Sequence, residues 1–391
     1  MYLVINPLIG NSKQINMNIG IVCYPTFGGS GVVATELGKL LAIAGHSVHF
    51  ISYDQPARLD YFSQNLFYHE VTVSTYPLFQ YPPYELALTG KIVEVVQNAK
   101  LDVLHVHYAI PHAAAAIMAK NILRDINGIA IPVITTLHGT DITLVGKDPN
   151  YEGVVSYSLN QSNAVTAVSA SLRDDTYKYF KINKAIEVIP NFIDLDKYSR
   201  QTNLTYRNAF ASDGELILMH TSNFRKVKRI EDVIHIFNAV LQTKACKLIL
   251  VGDGPERRSI ELLCAKLNIT KQVVFMGKQD AIEKILSIAD VFIMPSETES
   301  FGLAALEAMA CGVPVVCTNT GGLPELNIHG YSGFIANVGD TEAMTGYVLT
   351  ILESDASLDQ FRANARQNSL KFGIEKIVPQ YESLYNALVI P

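Results

Sequence analysis

Short, nearly continuous apolar runs alternate along this chain with longer stretches in which apolar positions recur at helical spacing. In the first half the runs are IGIVCY (19–24), SVHFIS (47–52), VLHVHY (103–108), IPVITTLH (131–138) and AVTAVS (164–169). A run without apolar–polar alternation predicts a strand covered on both faces, the condition of a parallel sheet flanked by helices. Helical patterns such as VVATELGKLLAIAG lie between the runs, this one closed by Gly45, a residue suited to ending a helix. After VIPNFIDLDKY (188–198) the pattern starts again with ELILMHTS (215–222), CKLILVGDG (246–254), QVVFMG (272–277), DVFIMPS (290–296) and VPVVCTN (313–319). The fold class is therefore α/β, with two doubly wound, Rossmann-like domains whose parallel sheets face a central cleft; ligands of such sheets sit at the strand C-termini. The expected boundaries are an N-terminal extension over 1–18, a first domain over 19–190 and a second over 191–374. The closing segment, about 375–391, reads as an amphipathic helix interrupted by Pro379 and expected to pack back on the first domain. DLD (194–196) reads as linker rather than as a metal-binding aspartate pair.

Composition narrows this picture. A chain of 391 residues with 49% hydrophobic and 17% charged content can bury a large core. Its formal charge of −6 offers no general field for nucleic acid, so any anion must be bound locally. The five cysteines are scattered without metal or redox spacing and read as small core residues in a reducing, cytoplasmic setting. MYLVINPLIGNSKQIN at the N-terminus lacks a basic leader and contains Pro and Gly, so we expect a loose extension, with neither signal peptide nor integral membrane segment.

The densest chemistry lies in PSETESFGLAALEAMACGVPVV (295–316). A strand ends at Pro295, ETESFG is a loop, and LAALEAMA is a strong helix stopped by Gly312 and Pro314. The amides around Phe301, Gly302 and Leu303 are then unpaired donors of a helix N-terminus, a seat for phosphate. On a mostly helical path Glu299 and Glu307 would lie roughly 12 Å apart, too far for a glycosidase carboxylate pair and suited to two contacts on one long ligand, with the diphosphate between. A capping glutamate and a solvated helix glutamate are the plain alternative. In SNFRKVKRIEDVI (222–234), Arg225, Lys226, Lys228 and Arg229 crowd a helix N-terminus, where the macrodipole disfavours cations and an anion would relieve the conflict. Arg225 and Lys228 are the candidates for neutralising a departing diphosphate; a solvated charge run is the bland reading.

YPTFGGSGVVATELG (24–38) is a glycine-rich turn between strand and helix that lacks dinucleotide spacing. Gly28, Gly29, Ser30 and Gly31 either make a tight turn or bring backbone donors to an acceptor or phosphate. His105 and His107 share a strand face with His112 close behind, but no carboxylate completes a metal set. His138, followed by Gly139, Thr140 and Asp141, ends a strand on the cleft side, where it could contact a sugar hydroxyl or steady charge at a reacting carbon; a core histidine is the alternative.

Taken together, ESFGLAALEAMACGVPVV with its two glutamates, GGLPE (321–325), VGDGP (251–255) and NFRKVK resemble the family 4 retaining glycosyltransferases, a resemblance running over essentially the whole chain after residue 18. That implies the two-domain GT-B fold, with an acceptor-binding first domain and a nucleotide-sugar-binding second. CYPTFGGSGVVATELG, HEVTV (69–73), FQYPPYELAL (79–88), LHVHYAIPHA and TTLHGTDIT are similar to the branch that moves N-acetylglucosamine from UDP to the hydroxyl of L-malate, at the start of bacillithiol biosynthesis. The implied partners are UDP-N-acetylglucosamine and L-malate, with no cofactor, no metal and retention at the anomeric carbon. Carried over, Arg225 and Lys228 hold the diphosphate, Glu299 lies at the sugar, Glu307 on the ribose, Phe301, Gly302 and Leu303 supply backbone to the donor, and His138 is the sugar-side histidine. The chain has Asn223 where many members place an arginine, so the arginine role falls on Arg225.

The resemblance further implies that no protein nucleophile is needed: the leaving phosphate takes the acceptor proton on the same face while the enzyme orients both substrates. Gly28 and Gly29 fall on the donor side. For the acceptor we expect Arg58 in QPARLD, whose guanidinium can pair with a carboxylate, with Ser30, Tyr108 and Thr140 beside it. Rival readings are a family member using an inositol phosphate or lipid-linked sugar, a sugar-nucleotide epimerase, and a binding protein without turnover. A homodimer is left open.

Overall fold

The computed structural model describes residues 16–26, 28–59, 64–73, 80–143, 148–201 and 204–389. The expected N-terminal extension falls almost wholly outside them. Thirteen strands are present among the described residues. The first set is β1 (Asn18–Val22), β2 (Ser47–Ser52), β3 (Leu66–Glu70), β4 (Val103–His107), β5 (Val133–Leu137), β6 (Ala164–Ala167) and β7 (Ile186–Val188). The second is β8 (Leu216–Thr221), β9 (Cys246–Val251), β10 (Val273–Gly277), β11 (Val291–Met294), β12 (Val315–Thr318) and β13 (Gly333–Ala336).

The strand orders are β3-β2-β1-β4-β5-β6-β7 and β10-β9-β8-β11-β12-β13. Counted from its own first strand, each sheet follows the 3-2-1-4-5-6 order of a doubly wound fold, so each reverses direction beside its first strand, between first and fourth. Pairing is parallel, with Ile19 opposite Val48 and Val103 in the first sheet and Leu218 opposite Leu248 and Val291 in the second. The chain divides into two compact units, Met1–Val106 with Ala115–Val133 and His107–Ala114 with Ile134–Pro391.

All ten expected strands are found, at or within a few residues of the expected places. The three that sequence patterning missed, β3, β7 and β13, are edge strands. β3 is half-exposed along its length, β7 has three residues, and β13 opens on a glycine, so none carries the unbroken apolar run of a strand covered on both faces.

The last helix corrects an expectation. It runs unbroken over Ile374–Val389 with Pro379 inside it. Ile377, Val378, Tyr381 and Tyr385 stay buried on one face across the proline, and the Tyr381 hydroxyl is hydrogen-bonded with Thr136 and Thr166 on β5 and β6. Burial of that face outweighs the one backbone hydrogen bond a proline removes. The segment before the helix is tied down as well: Ile193 N–H donates to the Phe372 carbonyl at 2.9 Å and Ile374 N–H to the Ile193 carbonyl at 3.1 Å.

Helix-to-sheet packing in the smaller unit depends on Gly38, on the buried face of the helix Ser30–Ile43. A Cβ there would stand 2.3 Å from Phe50 Cζ and 3.0 Å from Ile21 Cδ1, both side chains fully buried. Alanine is the better helix former by about 1 kcal/mol, but overpacking a filled core costs about 1–3 kcal/mol. We therefore expect Gly38→Ala to lower the unfolding midpoint in denaturant; an unchanged or higher midpoint would show that the helix and sheet can move apart at this point.

Candidate active site

The loops that follow β8 and β11 meet where the second sheet reverses direction. After β8 the chain passes over the buried Phe224 and makes a single 3-10 turn, Lys226–Lys228. Gly252 and Gly254 allow the VGDGP loop to press on it: a Cβ at Gly252 would lie 1.8 Å from the Ser222 carbonyl oxygen, and one at Gly254 2.7 Å from Phe224 N. The turn is fastened to the loop after β11 by the Glu297 N–H, which donates to the Val227 carbonyl at 2.8 Å. These contacts bring Lys228 to Glu299, and the two side chains form an ion pair, mostly buried, with Ser296 Oγ donating to the same carboxylate oxygen at 3.1 Å.

The basic run leads into the helix, which opens at Ile230, so Arg225, Lys226 and Lys228 stand just before its first turn. Arg229 caps it in a left-handed conformation and its Nε donates to Asp232 at 2.6 Å, which settles its charge locally. Arg225 stands exposed.

After β11 the chain bends through Glu299, Ser300 and Phe301 into Gly302, whose φ of +99° opens the helix Leu303–Ala310 with no side-chain cap. First-turn amides of such a helix are available to an anion. Phe301 contributes only backbone, because its ring is buried against Phe372. Since the helix starts at Leu303, only half of the path from Glu299 to Glu307 is helical, and a uniform rise per residue does not give their separation. Glu307 accepts a hydrogen bond from Tyr198 Oη at 2.9 Å.

The turn Gly321–Gly322 backs this segment. Gly321 has φ +55°, and a Cβ on it would lie 1.6 Å from the Glu299 carbonyl oxygen; one on Gly322 would lie 2.6 Å from the Ser300 carbonyl oxygen. Gly322 N–H donates to the Glu299 carbonyl at 3.0 Å. A cavity of about 330 Å³ opens beside Glu299, its lining mixed between polar residues such as Ser171, Ser300, Asn319 and Thr320 and the apolar Leu172 and Val338.

His138 lies in the same compact unit. Its Nε2 is 2.8 Å from His107 Nδ1, and Tyr108 tilts over its ring at 5.4 Å. Burial, with His112 nearby, pushes the His138 pKa down to about 3, so its imidazole is neutral at pH 7. A neutral ring favours contact with a hydroxyl over charge donation. Tyr108, at the end of β4, holds φ at +87°, a costly conformation for a side chain of its size. The buried Asp141 accepts from Ala109 N–H at 2.8 Å and Gly139 N–H at 3.0 Å, tying the two histidine-bearing turns together. Thr140 opens the short helix Thr140–Thr143 and is exposed. A Cβ on Gly139 would fall 1.6 Å from Ser300 Oγ, so the turn after His138 packs directly on the segment that carries Glu299.

In the smaller unit a Cβ built on Gly28 or Gly29 meets no atom within 4 Å among the described residues outside their chain neighbours, whereas one on Gly31 would meet Tyr24 and Thr26 at 2.6–2.7 Å. The tight turn therefore needs Gly31 for space and Gly29 for its φ of +56°. Ser30 begins the following helix, buried, and Arg58 is partly buried at φ +65°.

Residues 27–197 match the family described as Glycosyltransferase Family 4, and residues 204–368 match Glycosyl transferases group 1. The N-acetyl-alpha-D-glucosaminyl L-malate synthase of Bacillus anthracis is 46% identical over 373 residues, 95% of this chain and 97% of that one. This chain belongs to the family 4 glycosyltransferases. Among solved structures, sucrose-phosphate synthase from Thermosynechococcus elongatus superposes with a TM-score of 0.79 at 22% identity, over 95% of this chain and 99% of the other. Anabaena HepE in complex with UDP-glucose gives 0.81 at 20% identity, over 95% and 100%. The family's GT-B fold of two Rossmann-like sheets is thus the fold of this chain, and the chain is a glycosyltransferase.

Several residues that build this candidate site gave no signal in the sequence. Tyr198 reaches Glu307 across 109 positions, and Ser169 donates to the Ser300 carbonyl at 2.6 Å. His220 lies within a strand run; its Nδ1–H donates to the Ile293 carbonyl at 2.8 Å, leaving Nε2 to accept from Ser222 Oγ at 2.8 Å. Only the GGLPE glycines were marked, and by resemblance alone.

A pH dependence follows from the buried imidazoles. Burial lowers His112 and His220 to about 4 and His138 to about 3, whereas in the unfolded chain each titrates near 6.5. As pH falls below 6.5 the unfolded chain takes up protons that the folded one refuses, so stability is lost toward acid. Asp141, raised by burial to about 6, acts oppositely, one proton against three. The melting temperature should fall steadily from pH 6.5 to pH 5 in calorimetry, and a flat or rising profile would contradict the neutral cluster.

Proposed function

We propose that this chain transfers N-acetylglucosamine from UDP-N-acetylglucosamine to the hydroxyl of L-malate, with retention at the anomeric carbon and without a metal ion. The observation that carries the reading is the Lys228–Glu299 pair at the reversal point of the second sheet, next to the uncapped helix that opens at Gly302. Likeness to the malate synthase over nearly the full length supports the choice of substrates.

In this reading the diphosphate draws Lys228 from Glu299, with Arg225 as a second cation and the amides from Gly302 onward as neutral donors. The freed Glu299 carboxylate then accepts from sugar hydroxyls, and Glu307, steadied by Tyr198, accepts from the ribose. Backbone from Phe301 to Leu303 frames the sugar, and neutral His138 hydrogen-bonds to one of its hydroxyls. The bond between the anomeric carbon and the β-phosphate oxygen breaks, the malate hydroxyl oxygen bonds to that carbon on the same face, and its proton passes to the departing phosphate. Positioning and charge stabilisation supply the rate, which agrees with a site of cations and amides.

For the acceptor the candidates remain Arg58 and Ser30, with Tyr108 and Thr140, and Gly28 and Gly29 are assigned to the donor. A guanidinium suits a dicarboxylate because it can make two parallel hydrogen bonds to one carboxylate. Five buried free thiols suit a reducing cytoplasm.

UDP release from UDP-N-acetylglucosamine should require L-malate and survive a chelator. Release that ignores malate, or that EDTA abolishes, would overturn the reading. Replacing Arg58 by Ala should raise the malate KM by about tenfold or more, the loss of a charge-assisted bond pair, and leave the donor KM nearly unchanged; equal rises in both would remove Arg58 from the acceptor role.

A further inference from the structure

The helix Ala170–Tyr179, which follows β6, has no acidic residue in its first turn. Its local cap is already in place, since Ser169 Oγ accepts from Leu172 N–H at 3.1 Å. The Ala170 and Ser171 amides nevertheless have a carboxylate partner, and it comes from 154 and 155 positions away: Glu325 accepts from Ser171 N–H through Oε1 and from Ala170 N–H through Oε2, both at 2.8 Å. A carboxylate taking two amides at a helix N-terminus is a strong and directional contact.

What this contact holds is the site. Glu325 lies on the short helix Leu323–Leu326, which follows directly on the glycine turn that backs Glu299 and Ser300. Ser169, one residue before the clamped amides, donates through its hydroxyl to the Ser300 carbonyl at 2.6 Å. Gly322 fits between them, a built Cβ lying 3.1 Å from Ser169 Cβ and 2.6 Å from the Ser300 oxygen. On the other side of Ser300 stands Gly139, next to His138, with no room for a side chain. One hydrogen-bonded and close-packed series therefore runs from Glu325 through Ala170, Ser169 and Ser300 to the turn that bears His138.

We infer that Glu325 is a positioning residue for sugar transfer: by clamping the Ala170 and Ser171 amides it keeps Glu299 and the amides after it in register with His138. The inference rests on the proposed roles of Glu299 and His138 as donor contacts. It concerns placement relative to His138 more than the diphosphate contacts: of those, the amides from Gly302 onward lie within the clamped segment, while the cations Lys228 and Arg225 stand on the separate loop after β8. Glu325 itself is exposed, so its removal leaves the core intact.

The experiment compares the full chain with Glu325→Ala and Glu325→Gln. In the alanine variant, hydrogen exchange at the Ala170 and Ser171 amides should quicken, UDP affinity should fall by no more than about twofold because the two cations keep their place, and kcat should fall by about 10- to 100-fold, the cost of a displaced donor contact. The glutamine variant should lie between, because its carbonyl oxygen accepts from one amide while its NH2 group faces the other. Unchanged kcat in Glu325→Ala, or kcat and UDP affinity falling together by one factor, would overturn the assignment. Should that variant fail to fold, Ser169→Ala, which deletes the hydroxyl on the Ser300 carbonyl, must give the same split between kcat and UDP affinity. A wild-type chain inert toward malate would fail the acceptor reading and leave this one testable through exchange: bound UDP-N-acetylglucosamine should protect His138–Asp141 in wild type and not in Glu325→Ala, and equal protection in both would overturn it.

Discussion

Peptide groups can be brought within van der Waals contact of one another only where no side chain stands between them, and the site is assembled at such places. Gly321 and Gly322 lie against the Glu299 and Ser300 carbonyls, Gly139 against the Ser300 side chain, and Gly252 and Gly254 against Ser222 and Phe224. Each approach is shorter than a Cβ would allow, and Gly139, Gly252 and Gly321 also take positive φ angles. Because three separate loops are seated this way, the direction of the amides after Glu299 is set by backbone. Those donors need not be ordered on binding, which reduces the cost a ligand would otherwise meet.

The charges of the site are arranged so that little is left unpaired before a ligand arrives. Lys228 is held by Glu299 and Arg229 by Asp232, while His138 and His220 are kept neutral by burial. On the proposed reading, a chain of net charge −6 receives a diphosphate here because the positive potential is local and comes from two side chains and a helix terminus. Binding would then exchange one ion pair for another in a partly buried setting, where a cation without a partner is costly. Glu299 would thereby serve the empty state and the loaded state with the same atoms.

Much of this architecture was legible in the sequence, and the omissions have a common cause. Interior strands of a parallel sheet are apolar on both faces and announce themselves, whereas β3, β7 and β13 at the sheet edges do not. Glu299, Glu307, Gly302 and Lys228 were recoverable because each sits within a few residues of a strand end or helix start, so that local pattern implies place. The contacts of Tyr198, Ser169, Asp141 and Glu325 were not, because their partners lie 32 to 155 positions away in the chain and only the folded topology brings them together. Pro379 misled for a related reason: the tertiary burial that overrides its local effect cannot be seen from composition.

The two sheets share one strand order yet contribute differently to the chemistry. At the second sheet's reversal point stand two cations, two carboxylates and a helix terminus, all suited to a nucleotide sugar. At the first sheet's corresponding strand ends stand open glycines after β1 and the strained Tyr108 after β4. A fold that superposes on sucrose-phosphate synthase and on HepE at 20–22% identity carries no information about the acceptor. A transfer that draws its proton acceptor from the leaving phosphate asks no base of the acceptor loops. On the proposed reading those loops have only to place one hydroxyl, and acceptor identity would rest on a few side chains such as Arg58, proposed above to meet a carboxylate.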